Sequence, residues 1–456
     1  MEFRLHIGGR MKDLTKGKPV PLIIRFAIPI FFGNIFQILY SLVDTRIVGE
    51  LLGGESLAAV GSTNSVNALI VGFLFGLTNG FAIIVARKFG AKKEEELRRS
   101  VAATLVLGLA TSLLLTILSS IFLYPLLEAL NTPKELIQEA YSYIRIIFLG
   151  MTISMIYNIC SSVLRAIGDT LTPLFFLCIA VVINAVLDYV LIEFTTLGVK
   201  GAAYATLISQ FLSGVLCIIY IYKKYPFLHL KKKDFILDKN SVKGMFQIGL
   251  SMGFMSSLVS LGSVALQSSI NTFGEETIVA HTGARKLTEL FMLMFSTLGT
   301  AMATFAGQNL GAGKIDRVKY GLRKAILIGW IWSGLVVLVT YTCAPMLIRL
   351  VTATKTQEII DTATLYLRVN TVFYFVAALI TIIRNTMQGI GETKIPVVSS
   401  MIELVGKVLI VIFLTPRLDY MGVIIAEPII WFLMVIPLIV RIITTPILKE
   451  KPNSIT

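Results

Sequence analysis

Residues 165–173, Arg165-Ala-Ile-Gly168-Asp169-Thr170-Leu-Thr-Pro173, return as residues 388–396, Gln388-Gly-Ile-Gly391-Glu392-Thr393-Lys-Ile-Pro396, at an offset of 396 − 173 = 223. Glycine, acid, threonine and proline keep their spacing without a gap. The correspondence extends upstream: Ala58-Ala-Val-Gly61 meets Ala280-His-Thr-Gly283 at 222, and Phe89-Gly90-Ala91 meets Leu310-Gly311-Ala312 at 221. The first half of the chain is therefore written twice, and the fold follows from what that half contains.

It contains apolar runs. The chain is 55% hydrophobic and 15% charged with a mean hydropathy of +0.80, outside the range of soluble domains. At about 20 residues per crossing, twelve spans are predicted: 20–48, 56–86, 100–124, 137–162, 172–194, 200–222, 244–271, 278–305, 322–350, 360–386, 396–415 and 421–446. The expected fold is an all-α polytopic membrane protein of twelve transmembrane helices in two six-helix bundles. An even number of spans per half starts both halves on the same side, so a pseudo-twofold along the membrane normal is expected to relate them. The expected lobes are residues 1–222 and 244–456, joined by a charged linker, 223–243, that contains Pro226. Two such bundles would enclose a cleft, and rocking one against the other would give alternating access.

The net charge of +14 is a topology signal rather than a nucleic-acid footprint, because the basic residues sit mostly in alternate loops. Lys12, Lys16 and Lys18 precede the first span with Arg4 and Arg10. Arg87, Lys88, Lys92, Lys93, Arg98 and Arg99 follow the second, Lys223 to Lys243 the sixth, and Lys314 to Lys324 the eighth. By the positive-inside rule both termini are expected in the cytoplasm of a multi-pass plasma-membrane protein. Residues 1–19 are polar and basic and lack a small-residue cleavage site, so no cleaved signal is expected. Cys160, Cys178, Cys217 and Cys343 lie in apolar spans without paired spacing and read as packing residues. His6, His229 and His281 are scattered and suggest no metal site, and no P-loop pattern occurs.

Chemistry is expected where polar groups interrupt the spans, since an ionisable side chain at the bilayer centre costs on the order of 2.5–3.5 kcal/mol on insertion scales. Asp44, Asn184 and Asp188 fall in the outer halves of outward-running spans, and Tyr143 and Thr206 in the outer halves of inward-running ones, so all five share a depth. Asn184 and Asp188 are four apart and share a helix face. With Asp44 and Thr206 they offer four or more oxygens, which suits a hard cation such as Na⁺. The same cluster suits a proton, because two carboxylates in a low-dielectric site do not both stay charged. Mutual satisfaction as helix glue is the structural alternative. The repeat carries Asn184 to Lys407, Asp188 to Val411 and Asp44 to Leu266, so the second half lacks the acid pair. It offers Lys407 with Glu403 one turn before, a pair able to neutralise itself. Pro29 interrupts the hydrogen-bond ladder of the first span and permits either a static bend or a gating one.

Gly72-x-x-x-Gly76-x-x-x-Gly80 and Gly307-x-x-x-Gly311 place small residues on one helix face and predict close helix packing. Gly249-Leu-Ser251-Met-Gly253 spells the G-x-S-x-G pattern of hydrolases, but it lies in an apolar helix with no strand before it. No nucleophile–base pair or metal-ligand set is found in the spans, so an enzyme is not expected.

The Pro29…Asp44-Thr45-x-Ile-Val-Gly49 run, the Arg165-Ala-x-Gly168-Asp169-Thr170-x-x-Pro173 loop and its second-half echo resemble the multidrug and toxic compound extrusion (MATE) family, DinF-like branch, over essentially the whole chain. The resemblance implies cation-coupled antiport, in which inward H⁺ or Na⁺ drives export of small organic, often cationic and amphipathic compounds, with no cofactor. It implies a coupling site at Asp44, Asn184, Asp188 and Thr206 with Tyr143 beside it, and gating at Pro29. The chain departs from the NorM-like branch: Leu266 and Gln267 stand in the seventh span where an acid is sought, and Glu275 and Glu276 fall in the outer loop. Second-lobe candidates are therefore Lys407, Glu403 and Gln267. Expected partners are organic compounds or drugs and membrane lipid, not nucleic acid, with the chain acting as a monomer. A lipid-linked oligosaccharide flippase of the same helical plan is the alternative, which would want cationic side chains in its path; here those are Lys407 and the Arg285-Lys286 pair. A channel or a membrane-embedded enzyme is the alternative from a different class.

Overall fold

The computed structural model describes residues 12–129 and 132–449; His6, the basic residues before Lys12 and both chain ends lie outside the described residues. Among the described residues the chain is helical and forms no strand. The first repeat comprises α1 (Pro19–Leu52), α2 (Gly54–Ser62), α3 (Asn64–Gly90), α4 (Glu94–Ala129), α5 (Lys134–Leu149), α6 (Met151–Ala166), α7 (Leu171–Glu193) and α8 (Val199–Lys224). The second comprises α9 (Lys239–Ile270), α10 (Glu275–Gly311), α11 (Ile315–Thr352), α12 (Gln357–Val372), α13 (Tyr374–Gly389), α14 (Lys394–Leu409) and α15 (Thr415–Thr444), closed by the short α16 (Pro446–Lys449).

Among the described residues, nine helical stretches are long and apolar enough to cross a membrane alone, and two further crossings are bent helix pairs. One of the nine, Lys394–Thr444, runs for 51 residues and leaves helical geometry at Asp419 (φ 50°, ψ −140°). Splitting it there gives the twelve crossings expected.

Three spans read as single runs are in fact broken. The second is divided at Thr63, whose hydroxyl donates to the Val60 carbonyl at 2.7 Å. The fourth is α5 and α6, bent by 48° at Gly150, and the tenth is α12 and α13, bent by 55° at Phe373. These two bends are repeat mates, since 373 − 150 = 223. Hydropathy does not register them because both sides of each bend stay apolar. At Gly150 a Cβ would collide with the Leu207 side chain of α8, so the bend is a place of close helix approach. Glu275 and Glu276 form the first turn of α10 rather than loop, where carboxylates favour the helix N-terminus.

The chain forms two compact units. One holds residues 12–14 and 28–253, the other 15–27 and 254–449. The linker between the repeats is shorter than its charge suggested: α8 runs on to Lys224 and α9 starts at Lys239, leaving two 3-10 turns, Pro226–Leu228 and Lys232–Phe235. These turns belong to the first unit. Asp234, fully buried, accepts the Lys231 N–H at 2.8 Å and pairs with Arg98 Nε at 3.3 Å.

The duplicated loop makes the same turn twice. Gly168 (φ 91°) and Gly391 (φ 90°) occupy the left-handed region, which costs a glycine least. Each donates its N–H at 2.9 Å, to Arg165 and Gln388, and the following acid donates to Leu164 at 2.9 Å and Met387 at 2.8 Å, as helix C-terminal turns do. The acids then diverge. Asp169 accepts from the Thr172 N–H, the Thr172 hydroxyl and the Tyr225 hydroxyl, whereas Glu392 pairs with Arg441.

Two glycine patterns prove to be the halves of one contact in the first unit. A Cβ on Gly76 would lie 2.5 Å from the Met252 carbonyl oxygen, and one on Gly80 would lie 2.6 Å from Gly249 Cα. α3 and the first part of α9 therefore meet backbone to backbone, as small-residue stripes allow. The hydrolase-like spelling Gly249-x-Ser251-x-Gly253 is the other side of that seam.

Candidate functional site

Helix α7 is polar inside and apolar outside. Asn184 and Asp188 are 1% and 0% exposed, while Val182 and Val186 on the opposite face are 64% and 57% exposed. In lipid that orientation is the stable one: the apolar face meets hydrocarbon and the polar pair is withdrawn from it. The periodicity follows from the sequence, because positions 184 and 188 are one turn apart.

Asp44 comes from α1 and is partly buried. Its carboxyl lies within hydrogen-bond reach of Asp188. Neither Asp188 oxygen and not Asp44 Oδ1 meets a protein donor, and Asn184 Nδ2 is also unpartnered. Tyr143 of α5, buried, stands beside Asp44 and Asp188. Thr206 of α8 accepts a hydrogen bond from the Tyr40 hydroxyl at 3.1 Å, and Tyr40 lies one helical turn before Asp44. Residues from α1, α5, α7 and α8 thus converge, and all five positions expected from their common depth belong to one neighbourhood. Pro29 is buried inside α1, which continues through it as one helix.

Tyr40 was missed from sequence, although its i, i+4 relation to Asp44 would have found it. Also missed were Gln37, Ser209 and Gln210, which with Tyr40, Tyr157 and Ala180 line a cavity of about 40 Å³. At roughly 30 Å³ per water in the liquid, this is space for about one. Nothing in a single sequence marks a serine or glutamine in a span as cavity-lining, and Ser209 also donates to the Thr206 carbonyl of its own helix at 2.9 Å.

The second unit answers the acid pair with hydrocarbon. Leu266 and Val411, the repeat mates of Asp44 and Asp188, belong to one apolar cluster with Ile270 and Val423. The helix is altered at the same place: Ile410–Leu414 form a π-turn between α14 and α15. Lys407, the mate of Asn184, donates to Glu403 at 3.0 Å, and both are buried. Gln267 lies elsewhere, exposed and donating to Asn271 at 2.9 Å.

The MatE family model matches residues 29–190 and again residues 251–413. This chain belongs to the MatE family. The two matched segments begin 251 − 29 = 222 residues apart, the offset of the duplicated loops. Of curated relatives, "Probable multidrug resistance protein YoeA" of Bacillus subtilis is 29% identical over 429 residues, covering 91% of this chain and 92% of that one. "Probable multidrug resistance protein NorM" of Thermotoga maritima is 24% identical over 391 residues, 84% of this chain and 82% of that one. Among solved structures, a MATE protein crystallised with MaL6 superposes with a TM-score of 0.87 at 26% identity, covering 96% of this chain and 99% of the other. An outward-facing multidrug resistance MATE transporter matches with a TM-score of 0.86 at 25% identity over 97% of this chain and 100% of that chain. Twelve spans in two bundles are the MATE arrangement.

Proposed function

We propose that this MATE protein is a secondary active exporter in the plasma membrane. It exchanges small organic compounds, often cationic and amphipathic, for inward H⁺ or Na⁺ by alternating access, with both termini in the cytoplasm. Asp44 and Asp188 are the coupling carboxylates; Asn184, Thr206 and Tyr143 support them, and Pro29 provides a hinge in α1. The chain works as a monomer, residues 1–222 and 244–456 forming its lobes. The names of the relatives, multidrug resistance proteins and a multidrug resistance transporter, support the export reading.

The observation that supports the proposal is a pair of acids within reach of each other, three of whose four oxygens meet no other protein donor. Two full charges 4 Å apart repel by about 4 kcal/mol at an effective dielectric of 20. That cost falls away once the pair shares a proton or coordinates a cation, so the site takes up one positive charge and releases it when its surroundings change. A binding equilibrium of this kind, alternately exposed to each side, is what coupling requires.

The test is efflux of a fluorescent organic cation from proteoliposomes under separately imposed Na⁺ and pH gradients, with Asp44→Asn and Asp188→Asn alongside the parent. The gradient that drives the parent names the coupling ion. Unchanged gradient-driven transport in both variants would remove the site from the mechanism.

A further inference from the structure

Each unit encloses a cavity, and the repeat relates the two. Gln37, Tyr157 and Ala180 line the one in the first unit; Val259, Ile380 and Glu403 line the one in the second. Their offsets, 259 − 37 = 222, 380 − 157 = 223 and 403 − 180 = 223, are those of the duplicated loops. Position is repeated and chemistry is not. The first cavity is lined by uncharged side chains, whereas Arg285, Arg384 and Lys407 reach the second together with Glu289, Glu403 and Glu427. The second is also larger, about 240 Å³ against about 40 Å³, room for a small organic group rather than a single water.

Three cations and three carboxylates line this cavity, but they do not pair one to one. Arg285 donates to Glu427 at 2.8 Å, and Lys407 donates to Glu403 at 3.0 Å. Glu289, also in the lining, lies 4.0 Å from Arg285 with a side chain 64% exposed. Arg384 has no ion pair among the described residues. Its Nη1 donates to the Ser400 hydroxyl at 3.0 Å, and its buried Nε meets no acceptor. A guanidinium in the wall of a cavity is left with donors to give. Ile380, Trp431 and Met434 supply an apolar wall to the same space.

We propose that this cavity binds the anionic group of an amphipathic organic compound, a carboxylate or phosphate monoester, with Arg384 as its donor. The planar fork of a guanidinium matches such groups in two parallel hydrogen bonds. Lys407 flanks the anion, and the apolar wall takes the body of the compound. Ser400 orients Arg384 from the side away from the ligand. The inference deepens the exporter reading, on which its transport meaning rests, by adding carboxylate- and phosphate-bearing compounds to the cargo and giving the second unit a binding role that the acid-free repeat positions deny it in coupling.

The test is equilibrium binding to the purified full-length protein. Trp330 and Trp332 are replaced by phenylalanine, leaving Trp431 as the reporting indole of the three in the chain. Benzoate and phenyl phosphate are titrated against benzamide, benzyltrimethylammonium and sodium chloride. Saturable Trp431 quenching is expected for the two anions, with benzamide at least tenfold weaker. Arg384→Gln weakens benzoate at least tenfold and Arg384→Lys weakens it less. Glu403→Gln releases Lys407 and tightens benzoate binding about threefold or more, a gain that misfolding does not produce and that decides the matter if Arg384→Gln fails to fold. Equal binding of benzoate and benzamide, saturation by chloride at the same concentration, or unchanged affinity in Arg384→Gln and Glu403→Gln would overturn the proposal. Binding needs no gradient, so its failure leaves the coupling pair standing, and loss of coupling in Asp188→Asn leaves the benzoate titration intact.

Discussion

Asp188→Asn separates stability from coupling at the candidate site. The side chain keeps its shape, and Asp188, 0% exposed, has no protein donor other than Asp44 to lose at either oxygen. The change therefore removes a carboxyl whose hydrogen-bond partner is Asp44, a contact the asparagine amide can remake, and thermal unfolding in detergent should stay at or slightly above the parent midpoint. Cation binding should suffer. A carboxylate and a monovalent cation 4 Å apart attract by about 4 kcal/mol at an effective dielectric of 20. The amide oxygen of asparagine and the remaining charge of Asp44 recover part of this; halving it leaves about 2 kcal/mol, or roughly a 30-fold loss of affinity. In proteoliposomes the apparent half-saturating concentration of the coupling ion should rise by about that factor, while exchange of cargo across liposomes without an imposed gradient persists. If the ion dependence of Asp188→Asn overlays that of the parent, the reasoning fails. A midpoint lowered by many degrees would show instead that the carboxylate holds the helices together.

Gly80→Val forces side-chain atoms into the α3–α9 seam, where a Cβ would stand only 2.6 Å from Gly249 Cα, and should cost about 1–3 kcal/mol or more as overpacking, read as a lowered thermal midpoint in detergent. Gly168→Ala combines φ 91° with a clash against the Lys12 carbonyl; a loss of at least about 1 kcal/mol is expected, checked by the same melt, with Gly391→Ala as the repeat-matched comparison. The Ser241 N–H, donated at 2.8 Å to Asp238 ahead of α9, holds that carboxyl below the usual carboxylate range. Its contribution is thus present above about pH 4 and lost as pH falls below it, so Asp238→Ala should unfold closer to the parent at pH 3 than at pH 6.

Much of this molecule was legible because a membrane simplifies the reading. Spans must be apolar for about 20 residues and must satisfy their own backbone, so their number follows from hydropathy. The duplicated glycine–acid turn survived as a pattern because Gly168 and Gly391 both require left-handed geometry. The bends at Gly150 and Phe373 were hidden, since apolar sequence continues across them. Asp44 and Asp188 stood out by cost alone. Tyr40, Gln37 and Gln210 did not, because uncharged polar groups are tolerated well enough in a span to have many innocuous roles.

Sequence alone determined the repeat, the twelve crossings and the lobe that carries the acids, because these depend on local periodicity and on the cost of burying charge. Which side chains share a cavity was decided only in three dimensions. Arg285, Arg384, Lys407 and Glu427 come from four helices, and their meeting depends on how each helix is rotated about its axis. A span that is apolar nearly all round leaves that rotation unmarked in the sequence, so close packing between helices fixes it.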